Sequence, residues 1–157
     1  MKGIFGRALV ISAIAAVAAL GADNSIGTWK VNAAKSKATP AALPLKNLTS
    51  MREAAPGGVK VTNSGERADG VAVNAMYTAK YDGSWSAVTG SGAPYDSISM
   101  KQVNANTFTY EAKATNGKYH ASGRIVVSGD GKTMTSTSTG TNAKGEPMTL
   151  TLIYEKQ

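Results

Sequence analysis

Residues 107–127 read TFTYEAKATNGKYHASGRIVV, and their alternation decides the fold. Phe108, Tyr110, Ala112 and Ala114 alternate with Thr107, Thr109, Glu111 and Lys113. Beyond Asn116-Gly117, Tyr119, Ala121, Gly123, Ile125 and Val127 alternate with His120, Ser122, Arg124 and Val126. A period of two marks a strand with one buried face. Asn-Gly supplies the positive backbone angles of a two-residue hairpin turn. With that turn, Thr115 opposes Lys118, and Phe108 faces Ile125, Tyr110 faces Gly123 and Ala112 faces Ala121 on one side. On the other side Glu111 faces Ser122, with His120 and Arg124 on the diagonals. Gly123 beneath Tyr110 gives the ring somewhere to lie.

The same period recurs to both sides of this hairpin. Val71, Val73, Ala75, Tyr77, Ala79 and Tyr81 form one apolar row; Met148, Leu150, Leu152 and Tyr154 form another. Turn chemistry separates the rows at Pro56-Gly57-Gly58, Asp69-Gly70, Asp82-Gly83, Asp130-Gly131 and Lys144-Gly145. Strands are expected near 26–33, 46–54, 58–66, 71–81, 84–90, 96–104, 107–115, 118–128, 132–140 and 148–156. The fold class is all-β: an antiparallel up-and-down meander of about 8–10 strands closing into a barrel, polar outside and apolar inside. The stretch Ser36 to Pro44, with Pro40 and Pro44, is the awkward connection, expected to hold a short turn or helix across one end. No linker composition and no internal repeat stand out.

The N-terminus reads as an export signal. Lys2 and Arg7 precede a run from Ala8 to Leu20 of Ala, Leu, Val and Ile broken by Ser12, followed by small Gly21 and Ala22 and polar Asp23-Asn24-Ser25. That run spans roughly 20 Å as a helix, short of a bilayer core of about 30 Å. The expectation is a secretory signal over residues 1–22 and a single domain over 23–157, periplasmic or secreted, with no membrane span after cleavage. The chain has no cysteine, so its stability is expected to come from the core rather than from disulfides or a lipid anchor. The net charge of +7 becomes +5 when Lys2 and Arg7 leave with the signal. The remaining basic residues are scattered singly, which argues against nucleic-acid binding.

Gly27-Thr28-Trp29-Lys30-Val31 resembles the opening strand of lipocalins and of intracellular fatty-acid-binding proteins, and Ile153-Tyr154-Glu155-Lys156 resembles the closing strand of the latter. The whole segment from Asp23 on is also similar to small exported bacterial proteins with an opening Gly-Thr-Trp-Lys, a Tyr-Asp-Gly turn and a Tyr-Glu-Lys end, a family without an established activity. The resemblance implies a lipocalin-like (calycin-type) barrel, with Gly27 and Trp29 closing one end. It also implies a basic residue lying over Trp29, a role open to Lys156 or Arg124. In fatty-acid-binding proteins an Arg two residues before the last-strand Tyr holds the ligand's carboxylate; here that position is Leu152. The two-helix lid of those proteins has no room between Lys35 and Lys46.

The inward rows give the candidate ligand-binding residues Tyr77, Met100, Phe108, Tyr110, Tyr119, Ile125, Leu152 and Tyr154. Small inward residues such as Ala75, Ser136 and Ser138 create volume among them, and Tyr hydroxyls give an apolar pocket a few polar fixtures. His120, the lone histidine, falls on the outer face, so no metal site, cofactor or catalytic set is expected, and the protein is read as a non-enzyme. The expected function is an exported, monomeric binding protein holding a small apolar or amphipathic ligand inside the barrel. The alternative is an envelope interaction or inhibitor module with a filled core, recognising its partner through the loops at 56–58, 89–95 and 141–147.

Overall fold

The computed structural model describes residues 21–157; the secretory signal expected over residues 1–22 lies outside the described residues up to residue 20. The chain forms β1 (Gly27–Val31), β2 (Lys37–Thr39), β3 (Leu45–Ala55), β4 (Gly58–Arg67), β5 (Ala72–Lys80) and β6 (Asp82–Ala87). It continues through β7 (Thr89–Ser91), β8 (Ser97–Asn104), β9 (Thr107–Lys113), β10 (His120–Val127), β11 (Thr133–Thr141) and β12 (Pro147–Lys156). The sheet order is β6-β8-β9-β10-β11-β12-β1-β3-β4-β5-β7, all pairs being antiparallel. The segment running through β6 and β7 bonds β8 with its first part and β5 with its second. It thereby draws the two ends of the sheet together into a nearly closed meander barrel and leaves little free edge.

Two elements differ from expectation. The strand expected over 84–90 is β6 and β7, because the chain changes partner after Val88, whose N–H still bonds the Asp96 carbonyl in line with β8 while Thr89 onward pairs with β5. The Ser36 to Pro44 connection carries neither helix nor simple turn: its Lys37–Thr39 portion is a strand on the outer part of β12. Ser36 anchors it, accepting from the Ile153 N–H at 2.9 Å and donating to the Asn32 carbonyl at 2.8 Å.

The central hairpin has the expected register, with Phe108 opposite Ile125, Tyr110 opposite Gly123 and Ala112 opposite Ala121. Its turn is wider than a two-residue Asn-Gly turn. The last bond between the strands runs from the Ala114 N–H to the Tyr119 carbonyl, the Gly117 N–H donates to the Ala114 carbonyl at 3.2 Å within the loop, and Gly117 does not take a positive φ. The loop is held from outside instead, by the Asp96 carboxylate, which accepts from the N–H of Thr115 at 3.0 Å and from its hydroxyl at 2.7 Å.

One end of the barrel is solid. Trp29 is 0% exposed, and its indole Nε1–H donates to the Ser25 carbonyl at 2.8 Å. Lys156 Nζ lies 5.1 Å from the Trp29 ring centre, so the basic residue over the tryptophan is Lys156. Gly27 has φ +135°, a backbone conformation that L side chains rarely adopt, which suits glycine at this crossing. Phe108, Tyr81, Val59, Val61, Ala79 and Val127 pack the same end, all buried. The Phe108 and Tyr81 rings lie 5.2 Å apart. Residues 22–26 run across this end: the Asn24 N–H donates to the Ala105 carbonyl and Gln102 Nε2 to the Ala22 carbonyl.

Candidate ligand-binding site

Beyond this solid half the barrel is hollow. A cavity of about 330 Å³ opens between the strands, at the lower end of the roughly 300–1,000 Å³ typical of small-molecule sites. Each strand contributes by alternation: Val73, Ala75 and Tyr77 from β5, Ile98 and Met100 from β8, Ser136 and Ser138 from β11, and Leu150, Leu152 and Tyr154 from β12. Its mouth is framed by Pro44 and Leu45, by Gly92 to Pro94, and by Asn142 to Lys144. Small side chains make the room. Ser136 and Ser138 face Leu152 and Leu150 across β11 and β12, where two large residues would otherwise meet.

Of the residues singled out from sequence, Tyr77, Met100, Tyr110, Tyr119, Ile125, Leu152 and Tyr154 line this cavity. Phe108 does not: it sits in the solid half against Tyr81, one step too close to the closed end. Tyr110 lies flat over Gly123, where an added Cβ would come within 2.5 Å of the ring. That pose brings its hydroxyl to 3.1 Å from Ser136 Oγ. Tyr95, on the loop before β8, stacks its ring 5.8 Å from that of Tyr119. Burial raises the pKa of the Tyr77, Tyr81, Tyr95, Tyr119 and Tyr154 hydroxyls above the ordinary phenol value. These groups therefore stay neutral hydrogen-bond donors at physiological pH.

Among the wall residues not singled out from sequence, Arg52 stands out. Leu48, Ser50 and Arg52 are the buried row of β3, whereas Met51 is exposed between them. Leu48 sets the phase of the strand; sliding by one residue would bury Met51 but turn Leu48 out. Arg52 is 3% exposed. Its Nε–H donates to Ser25 Oγ at 3.1 Å; the Ser25 hydroxyl passes the contact to Asp23 Oδ1 at 2.6 Å, and Asp23 Oδ2 accepts from the Tyr81 hydroxyl. Nη2 of Arg52 is buried with no hydrogen-bond partner among the described residues. Leaving a buried donor unpaired costs about 1–3 kcal/mol, and more for a charged one. Tyr77 is its neighbour in the wall: burial raises that hydroxyl's pKa, and the Arg52 charge works in the opposite direction. Arg52 comes from β3, a strand that pairs with β1 and β4 and not with β12.

His120 is exposed on the outer face, paired in register with Lys113. Trp85 is also outside, beside a bulge in the β6–β8 pairing, with Lys113 Nζ 4.2 Å from its ring centre.

No protein-family model matches the sequence, and no curated protein matches it significantly. Among solved structures the chain is similar to EF1p2_mFAP2b bound to DFHBI, with a TM-score of 0.51 and 11% identity, over 85% of this chain and 94% of that one. At that identity the likeness concerns the fold: both chains form the same kind of barrel.

Proposed function

We propose that this protein is an exported, lipocalin-like carrier that holds a small apolar or amphipathic molecule in the hollow half of its barrel, as a monomer in the periplasm or outside the cell and without catalysis. The observation that carries this reading is the cavity of about 330 Å³ walled mainly by apolar side chains and tyrosines. A barrel of the same architecture is solved with DFHBI bound, which supports the idea that such an interior accommodates a ligand. Burial against the apolar wall supplies the affinity, at about 25 cal/mol per Å² of apolar surface covered, and the tyrosine hydroxyls orient the polar part. The alternative reading, an interaction module, called for a filled core; a half-hollow barrel favours the carrier.

The test is a fluorescence titration with N-phenyl-1-naphthylamine, an uncharged probe that brightens in apolar sites. Ser138 lines the cavity and is 3% exposed, so Ser138→Phe fills the space from within. Saturable one-to-one binding to the wild type, lost in a folded Ser138→Phe variant, is expected. No binding, or equal binding to the filled variant, contradicts the reading.

A further inference from the structure

We propose that the molecule held in this cavity is an amphipathic monoanion, its apolar body in the hollow half of the barrel and its negative group on Arg52. The proposal rests on the carrier reading and specifies the ligand class.

Three observations carry it. First, among the described residues the cavity wall includes Arg52, Arg67 and Lys144 but no Asp or Glu. Second, these cations are not equivalent. Arg67 is answered at the rim by Asp69 at 2.7 Å. Arg52 has no described carboxylate within 4.0 Å, and Asp23 reaches it only through the Ser25 hydroxyl. Third, a guanidinium carries five N–H donors, and among the described residues the Arg52 side chain has one acceptor within hydrogen-bond geometry, Ser25 Oγ on Nε. Its Nη2 is buried with no hydrogen-bond partner among the described residues.

A planar donor fork with an unused arm, set in a wall of apolar side chains, is built to receive oxygen anions. In surroundings of low polarity the attraction between Arg52 and an incoming carboxylate or sulfonate is weakly screened. A neutral ligand leaves that arm unpaired. A cationic ligand meets the unanswered charge of Arg52 with no carboxylate among the described wall residues to hold it, so the same wall disfavours it. Lys144 at the mouth adds positive potential along the way in.

The test compares two probes that share one ring system. N-phenyl-1-naphthylamine is uncharged, and 1-anilinonaphthalene-8-sulfonate carries a sulfonate. Each is titrated into the wild type, Ser138→Phe, Arg52→Gln and Arg52→Lys at pH 7.5 in 150 mM salt, with circular dichroism to confirm folding. The proposal predicts that the wild type binds the sulfonate at least about tenfold more tightly than the neutral probe. Arg52→Gln should bring the sulfonate and neutral affinities together, and Arg52→Lys should retain part of the preference. Ser138→Phe should lose both probes. Equal affinities in the wild type overturn the proposal and leave the carrier reading standing. So does a preference that survives Arg52→Gln, or one that survives in Ser138→Phe and so marks surface binding. If neither probe binds the wild type, both readings fall. The wild-type ratio decides the matter even where Arg52→Gln does not fold.

Discussion

Tyr110 and Gly123 face each other across β9 and β10, and the ring occupies the space where a side chain on residue 123 would stand. Gly123→Ala would place a Cβ 2.5 Å from Tyr110 Cζ and 2.7 Å from the Thr137 carbonyl, so the ring must lift into the cavity and leave Ser136. Overpacking of this kind costs about 1–3 kcal/mol; a lower urea midpoint at unchanged slope is expected, and an unaltered midpoint would show that the ring moves freely. This pairing was legible in the sequence, because alternation and a single glycine place it. Arg52 was not, because hydropathy points to Met51 as the inward residue. The phase of β3 is set by Leu48, one turn of alternation earlier, and by pairing with β1, which sets Ser50 opposite Trp29. An inward arginine shows in sequence only when that phase is traced through to residue 52.

At the scale of elements, residues 22–26 act as a floor. They tie to β8 through Gln102, to the β8–β9 turn through Ala105 and Asn106, to Tyr81 and to Arg52. Ser25 is the centre of this set: fully buried, it accepts from Arg52, donates to Asp23, and offers its carbonyl to Trp29. Ser25→Ala removes the hydroxyl and leaves Arg52 Nε without an acceptor. A loss of about 1–3 kcal/mol in unfolding free energy is expected, with faster hydrogen exchange in 22–26 than in β9 and β10. Unchanged stability would mean that the floor is held by its backbone contacts alone. Turn residues located the strand ends well, yet Asn116-Gly117 shows the limit of that signal. The loop is set by Asp96, twenty residues earlier, and no local dipeptide rule contains that contact.

Across the whole molecule, a barrel of this girth was expected either to be hollow or to be filled, and it is both. Large residues gather where Trp29, Phe108 and Tyr81 meet, and small ones gather beyond, so the division follows from which residues share a level along the axis. Register fixes those levels, and only the β9–β10 register was legible beforehand. Five of the six tyrosines, four buried and Tyr95 half-buried, have raised pKa values. The sign follows directly: the folded chain keeps protons that an unfolded tyrosine releases near pH 10. Stability is therefore complete below about pH 10 and falls as pH rises toward the folded-state values. A pH titration should show tyrosinate absorbance at 295 nm rising together with loss of the β-sheet dichroism. Absorbance rising near pH 10 in a chain that stays folded would contradict the burial of these hydroxyls.

The central claim is an occupied interior, and native mass spectrometry tests it most directly, on protein exported to the periplasm and purified without detergent. A reproducible added mass is predicted, released on denaturation and absent from Ser138→Phe. A bare polypeptide mass in repeated preparations, or the same added mass on the filled variant, would contradict it.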